Sequence, residues 1–357
     1  MHIYPWFLIF SFLFLSCSQS PPSRSTPSPI PVKVVIVSMF EKGEDVGDRP
    51  GEFQYWVERL PLEESMAFPQ GYRDLRFNRE KGVLGIVTGV GIAKASASIM
   101  ALGMDQRFDL SRAYWLVAGI AGVDPEDASV GSAAWAEWLV DGDIAHEIDP
   151  RESPKGWSTG YIPLRLTHPY EQPVPENDEG AVYQLDPQLT EWAYQLTQHT
   201  QLEDTEEITA LRAQYTQYPK AQLPPFVLKG DQLAASTYWH GRLLNDWANN
   251  WTSYWTREKG NFVTSAMEDT GTRQSLEFLQ KAGRVDARRL MVLRTASNYT
   301  MQYQGIDAYT SLAGEKLGGS GYSAYIPALE SAWRVGSTVV NELVTNWDQY
   351  KDHIPGR

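Results

Sequence analysis

Apolar and polar residues alternate in blocks along the chain, and the blocks have two lengths. Short, nearly unbroken apolar runs include VKVVIVSMF (32–40), GVLGIVTGVG (82–91), AYWLVAGIAGV (113–123) and RRLMVLRTASN (288–298). Such runs, rich in β-branched residues, suit strands buried on both faces of a sheet. Between them lie longer segments with helical spacing. IAKASASIMALGM follows the second run as a helix of small residues, and the chain after Gly321 (YSAYIPALESAWRVGSTVVNELV) reads as a closing amphipathic helix. GSAAWAEWLVDGDIAHEI continues the third run as extended chain. Strands alternating with helices predict an α/β domain with a central, mostly parallel mixed sheet.

The segment 157–225 breaks this rhythm. It is rich in Pro, Gln, Glu and Tyr, and one helix is expected in it, where Asp186 offers an N-cap and Pro187 the first helical position before QLTEWAYQLTQ. It is read as an elaboration of one domain spanning 32–350. The N-terminal run YPWFLIFSFLFLS (4–16) is shorter than the roughly 20 apolar residues a spanning helix needs and predicts a secretory signal over 1–16. Leu15-Ser16-Cys17 resembles a bacterial lipoprotein box, although Phe14 and the absence of early Lys or Arg depart from it. Cys17 is then the lipidated residue, with a Ser/Pro-rich tether over 17–31. The expectation is an exported bacterial lipoprotein held to a membrane only by that anchor.

Composition narrows the function. A formal net charge of −13 over 357 residues argues against a nucleic-acid partner, which needs a basic face. One cysteine allows no intrachain disulfide. Gly89-x-Gly91 lies between strand and helix, but Lys94 takes the third glycine position and Asp109 follows no strand-like run, which argues against a dinucleotide. The six histidines show no H-x-x-x-H pair, so no metal site is expected, and no G-x-S-x-G elbow supports a serine hydrolase. Trp239, Trp247, Trp251 and Trp255 share one helical face, a core stripe, while Tyr238, Trp239 and His240 precede that helix and are placed to line a pocket for a flat heterocycle.

The unusual feature is a set of polar or glycine-rich stops at strand ends: Ser38 with Glu41 and Glu44, Gly119–Gly122, Met267-Glu268, and Ser297-Asn298. Each alone is explained by turn or capping chemistry. Together they fall where ligands gather in parallel sheets, at the carboxyl ends of strands.

The motifs KVVIVSMFE, VTGVGIAKASASIMALG, RFDLSRAYWLVAGIAGVDPEDASVGSAAWAEWLVDGD, LKGDQLAASTYWHG and SAMEDTG resemble the purine nucleoside permease family, and more distantly the nucleoside phosphorylase and methylthioadenosine/adenosylhomocysteine nucleosidase superfamily. The resemblance implies a three-layer α/β/α fold and cleavage of a purine N-glycosidic bond. It makes Glu268 the acceptor for the ribose hydroxyls, with Met267 packed on the sugar. Asn298 takes the place of the superfamily's aspartate acid and would hydrogen-bond N7 of the base, which points toward 6-oxopurines. Glu44 or Glu41 stands near the water-activating glutamate. The turn Gly119-Ile120-Ala121-Gly122 matches the phosphate-binding turn but puts Ile120 where a hydroxyl is needed, with Arg49 or Arg294 as possible aids. Hydrolysis is therefore favoured slightly over phosphorolysis, no cofactor is expected, and inorganic phosphate is the one co-substrate left open. The partners expected are a purine nucleoside and further copies of the chain. A nucleoside-binding lipoprotein without turnover is the alternative.

Overall fold

The β-branched run that opens the domain forms β1 (Val34–Ser38), with all five residues buried. The computed structural model describes residue 2, residues 28–317 and residues 324–357. Among these, β1 lies inside a twelve-stranded sheet. The other strands are β2 (Glu64–Met66), β3 (Leu75–Asn78), β4 (Val83–Val87), β5 (Tyr114–Val123), β6 (Ala133–Trp135), β7 (Trp138–Asp141), β8 (Val182–Gln184), β9 (Val227–Lys229), β10 (Asp231–Ala234), β11 (Phe262–Ala266) and β12 (Leu290–Tyr299). The main path runs β8-β7-β10-β11-β5-β1-β4-β3-β2, and β12 lies along the other edge of β5, continuing through β6 to β9. The middle is parallel: β1 with β4 and β5, β5 with β12, β7 with β10, and β10 with β11. Antiparallel pairs close the margins at β2-β3-β4 and β7-β8, and join β11 to the end of β5.

The main helices are α1 (Gln54–Arg59), α2 (Ile92–Met104), α3 (Pro187–Thr197), α4 (Glu206–Arg212), α5 (Arg242–Trp255), α6 (Asp269–Lys281), α7 (Ala308–Leu317) and α8 (Tyr325–Thr345). They cover both sheet faces, and the two-residue period of β1 sorts its side chains between them. Val35 and Val37 pack with Ile99 and Leu102 of α2 and Leu276 and Leu279 of α6. Val34 and Ile36 pack with Trp56 of α1 and Val335, Val339 and Leu343 of α8. This is the expected three-layer α/β/α arrangement.

Within 157–225, β8 extends the sheet edge and α3 starts where expected, with Asp186 accepting from the Gln188 and Leu189 amides at 3.0 and 3.2 Å. The packed fold reaches past the expected boundaries. Ile30 and Pro31, assigned to the tether, pair in parallel with Phe108 and Asp109, and Ile354 is buried beside α8. The expected signal peptide and Cys17 lie outside the described residues. Among the described residues no helix is long and apolar enough to cross a membrane.

Candidate functional site

A fork in the sheet creates the site. One edge of β5 pairs with β12 along nearly its whole length. The opposite edge pairs with β1 only as far as Val117, and with β11 only from Gly122. Between them Ile120 has no strand partner for its backbone groups, which a buried strand cannot leave unmet. Two side chains take the ladder's place. The Ile120 amide donates to Oε1 of Glu52 at 2.8 Å, and its carbonyl accepts from Nη1 of Arg294 at 3.2 Å. A cavity of about 290 Å³ opens over this gap, lined among others by Glu52, Ile120, Ala121, Gly122, Glu268 and Arg294.

Gly119 makes the convergence possible. A Cβ there would lie 2.0 Å from Cε of Met39, 2.6 Å from Oε1 of Glu52 and 2.8 Å from Nη1 of Arg294. Glycine thus lets both charged side chains cross the strand. Arg294 is fully enclosed and donates to Asp269 through Nε (3.2 Å) and Nη2 (2.9 Å) and to Oε2 of Glu268 at 3.0 Å. The other oxygen of Glu268 accepts from the Gly91 amide at 3.0 Å. Gly91 holds that amide in place at φ +96°, a conformation most side chains resist.

Burial dominates the electrostatics. It raises Glu52 to about 8; Arg294 opposes the rise, Glu268 adds to it, and the amide bonds from Met39 and Ile120 oppose it. Glu268 is also raised, by burial first, with Arg294 opposing and Asp269 adding. Arg294 holds its proton more firmly than usual, because Asp269, Glu268 and Glu52 outweigh its desolvation.

At the other side of the cavity, β12 carries a bulge: Ala296 faces Ala121, but Asn298, not Ser297, faces Gly122. The extra residue lets the consecutive Ser297 and Asn298 both line the cavity. Asn298 donates through Nδ2 to the Tyr299 carbonyl at 3.1 Å and to the Tyr238 phenol oxygen at 3.0 Å. Met39, Phe40, Lys42 and Tyr325 line the cavity as well, with Nζ of Lys42 4.2 Å above the Tyr325 ring. Burial lowers Lys42, and the Arg49 charge adds to this.

Of the residues singled out in the sequence, Met267, Glu268, Ile120, Ala121, Gly122, Tyr238, Ser297 and Asn298 meet in this cavity. Others lie elsewhere. Glu41 is turned away from the lining: its carboxylate accepts from the amides of Gly51, Phe53 (2.9 Å), Gln54 (2.5 Å) and Lys42 (2.8 Å), tying down the loop ahead of α1. Glu44 is exposed. The glutamate of that loop that enters the cavity is Glu52. Ser38 sits behind the site, its hydroxyl donating to the Glu52 carbonyl at 3.3 Å. Trp239 packs against Trp247, with ring centroids 6.0 Å apart, and so belongs to the aromatic core with Trp251 and Trp255. His240 pairs with Ser311 at 3.0 Å, outside the lining. Arg294 does line the cavity, but it is engaged there by Glu268 and Asp269, and Arg49 stacks on Tyr325 at 5.7 Å. Among the described residues no group of three or more His, Cys, Asp or Glu is placed to hold a metal ion.

Over residues 31–355 the chain matches the family model described as purine nucleoside permease. It is 28% identical over 324 residues to a purine nucleoside permease of Candida albicans, covering 89% of this chain and 76% of that one. It is 27% identical over 290 residues to a probable purine nucleoside permease of Schizosaccharomyces pombe, covering 78% and 80%. Its fold is similar to that of futalosine hydrolase of Helicobacter pylori, with TM-score 0.52, 13% identity and coverage of 87% and 98%. It is equally similar to the 5′-methylthioadenosine/S-adenosylhomocysteine nucleosidase of S. pneumoniae, with TM-score 0.52, 14% identity and coverage of 87% and 100%. The family match spans the whole sheet and every residue of the cavity, and the chain belongs to the purine nucleoside permease family.

Proposed function

We propose that the chain cleaves the N-glycosidic bond of purine nucleosides by hydrolysis. The observation that carries this is the placement of two buried carboxyl groups, Glu52 and Glu268, on one cavity with the Asn298–Tyr238 pair. Breaking the bond leaves an electron-poor sugar resembling an oxocarbenium ion. Glu268 accepts hydrogen bonds from the ribose 2′- and 3′-hydroxyls and sets negative charge beside that sugar, while Met267 packs on it. The base lies against Asn298 and Tyr238. Glu52 takes a proton from water attacking C1′. Its conjugate acid titrates near 8, so it is a stronger base than an ordinary carboxylate.

Water is favoured over phosphate by the occupancy of the fork. The Ile120 amide, which would serve an anion, already donates to Glu52, and Arg294 is engaged by Asp269 and Glu268. The ionised form of Glu52, the form that acts as base, repels a phosphate at that point. Export with a lipid anchor at Cys17 belongs to the same proposal: the released base would be formed outside the cytoplasm, for uptake. The permease names of the fungal relatives favour a second reading, a nucleoside-binding protein that assists transport without turnover.

One assay separates these readings. The chain is incubated with inosine, guanosine and adenosine, with and without phosphate, and free base is measured. Release without phosphate is expected. Binding without release selects the second reading, and release that requires phosphate refutes water as the nucleophile.

A further inference from the structure

The cavity carries one charged side chain that the cleavage reading does not use. Lys42 lines it from the loop after β1, with its ammonium 4.2 Å from the centroid of the Tyr325 ring. Among the described residues that ammonium has no carboxylate partner. The acids around it are committed elsewhere. Glu41 accepts from four backbone amides, Glu52 from those of Met39 and Ile120, and Glu268 from Gly91 and Arg294. Arg49, over the same ring at 5.7 Å, adds a second cation. Burial lowers the lysine, the Arg49 charge adds to this, and Glu41 opposes it only in part. A cation so placed is stabilised by an anion beside it.

The sheet sets where Lys42 stands relative to a bound nucleoside. β1 and β12 lie on opposite edges of β5, so Lys42 and Asn298 enter the cavity from opposite sides. With the base against Asn298 and the 2′- and 3′-hydroxyls on Glu268, C1′ faces the β12 side. C4′ lies across the ring oxygen from C1′, so C5′ leads away from Asn298 and toward the loop after β1. We propose that Lys42 binds an anionic group carried on C5′, and that the preferred substrates are purine nucleosides bearing such a group, a 5′-phosphate being the simplest. The assignment rests on the cleavage reading above, which supplies the orientation of the nucleoside.

Both ends of the lysine are held for this role. Its backbone amide donates to Glu41 at 2.8 Å. Its ammonium rests on a ring that is itself fixed, since the Tyr325 hydroxyl donates to the Pro50 carbonyl at 2.7 Å and the neighbouring Ala324 amide to the Ser297 carbonyl at 3.1 Å. A site held in this way binds with little loss of side-chain freedom. Lys42 is only half-buried, so an anion there keeps part of its hydration and loses less than it would deep in the cavity beside Glu52.

The test measures turnover and calorimetric binding of inosine and inosine 5′-monophosphate with the unaltered chain, Lys42→Met and Lys42→Arg. Affinity and kcat/KM should both be higher for the monophosphate by about tenfold or more, as expected for a hydrogen bond to a charged group. Lys42→Met keeps an unbranched chain on the Tyr325 ring and should bring that ratio close to one, whereas Lys42→Arg should retain most of it. A ratio of one or below in the unaltered chain overturns the proposal, as does a ratio that Lys42→Met leaves intact. Inorganic phosphate is the other source of the same anion. If it accelerates inosine cleavage, and Lys42→Met abolishes the effect, Lys42 serves an attacking anion and the proposal is again overturned. If neither compound is cleaved yet the monophosphate binds more tightly through Lys42, the cleavage reading fails and the anion site stands. If both are cleaved without preference, only the anion site fails.

Discussion

Replacing Glu52 by glutamine tests the site through stability and turnover together. In the folded chain Glu52 titrates near 8 against an ordinary 4.5. Each pH unit between those values is worth about 1.4 kcal/mol, so the protonated form is favoured by folding by about 5 kcal/mol. The sign follows from proton linkage: a group with a raised folded value contributes stability below about pH 4.5 and loses it as pH rises to about 8. Glutamine cannot ionise and escapes this loss. It offers one carbonyl, however, where the carboxyl accepts both the Met39 and Ile120 amides at 2.8 Å. One amide is left unmet, at a cost of about 1–3 kcal/mol. Urea unfolding should therefore find Glu52→Gln less stable than the unaltered chain at pH 5 and more stable at pH 9, with the curves crossing between. Turnover should move the opposite way. With Glu52 as base, the rate of base release should rise about tenfold per pH unit up to about 8 and then level. The glutamine variant should fall by about a hundredfold or more and lose that limb; any limb that remains belongs to Glu268, which is raised for the same reason. Parallel stability curves, together with a variant within threefold of the unaltered rate, would refute the reasoning.

Glu268→Ala should lower kcat/KM for inosine by about a hundredfold or more, because the ribose contact is strongest in the transition state; near-normal rates by free-base assay would remove Glu268 from the reaction. Asn298→Ala should change the ratio of inosine to adenosine cleavage more than it changes KM, and an unaltered ratio would separate it from base recognition. Gly119→Ala should abolish turnover and cost about 1–3 kcal/mol in urea unfolding, since its methyl group would meet Met39, Glu52 and Arg294 within 2.8 Å. Added phosphate should leave the initial rate on inosine unchanged.

The parts of the fold that could be read from the chain are those whose signal is local. The residues of β1 and β5 are buried on both faces, so their sequences are apolar without interruption, and Asp186-Pro187 carries its own capping chemistry into α3. Met267-Glu268, Gly119–Gly122 and Ser297-Asn298 were visible because they interrupt such runs at their carboxyl ends. The loop between β1 and α1 carries no comparable signal. It holds Glu41, Glu44, Asp45, Asp48 and Glu52 within twelve residues, and spacing alone cannot say which turns inward. That choice is made from outside the loop. Ile120 presents an amide and a carbonyl in the gap between β1 and β11, and the glutamate that can reach them through the space left by Gly119 is the one at the start of the turn into α1. Glu41, three residues past β1, meets the free amides at the start of α1 first and is held there. The one cue available in sequence was that Glu52 directly precedes FQYW, whose Phe53 and Trp56 must be buried; a residue so close to that inward turn is drawn toward the core with them. An acid in such a place is stable only if a backbone or a cation is waiting for it. The forked edge of β5 supplies the backbone group and Arg294 the neighbouring cation, so the same gap that interrupts the sheet determines which carboxyl group faces the cavity.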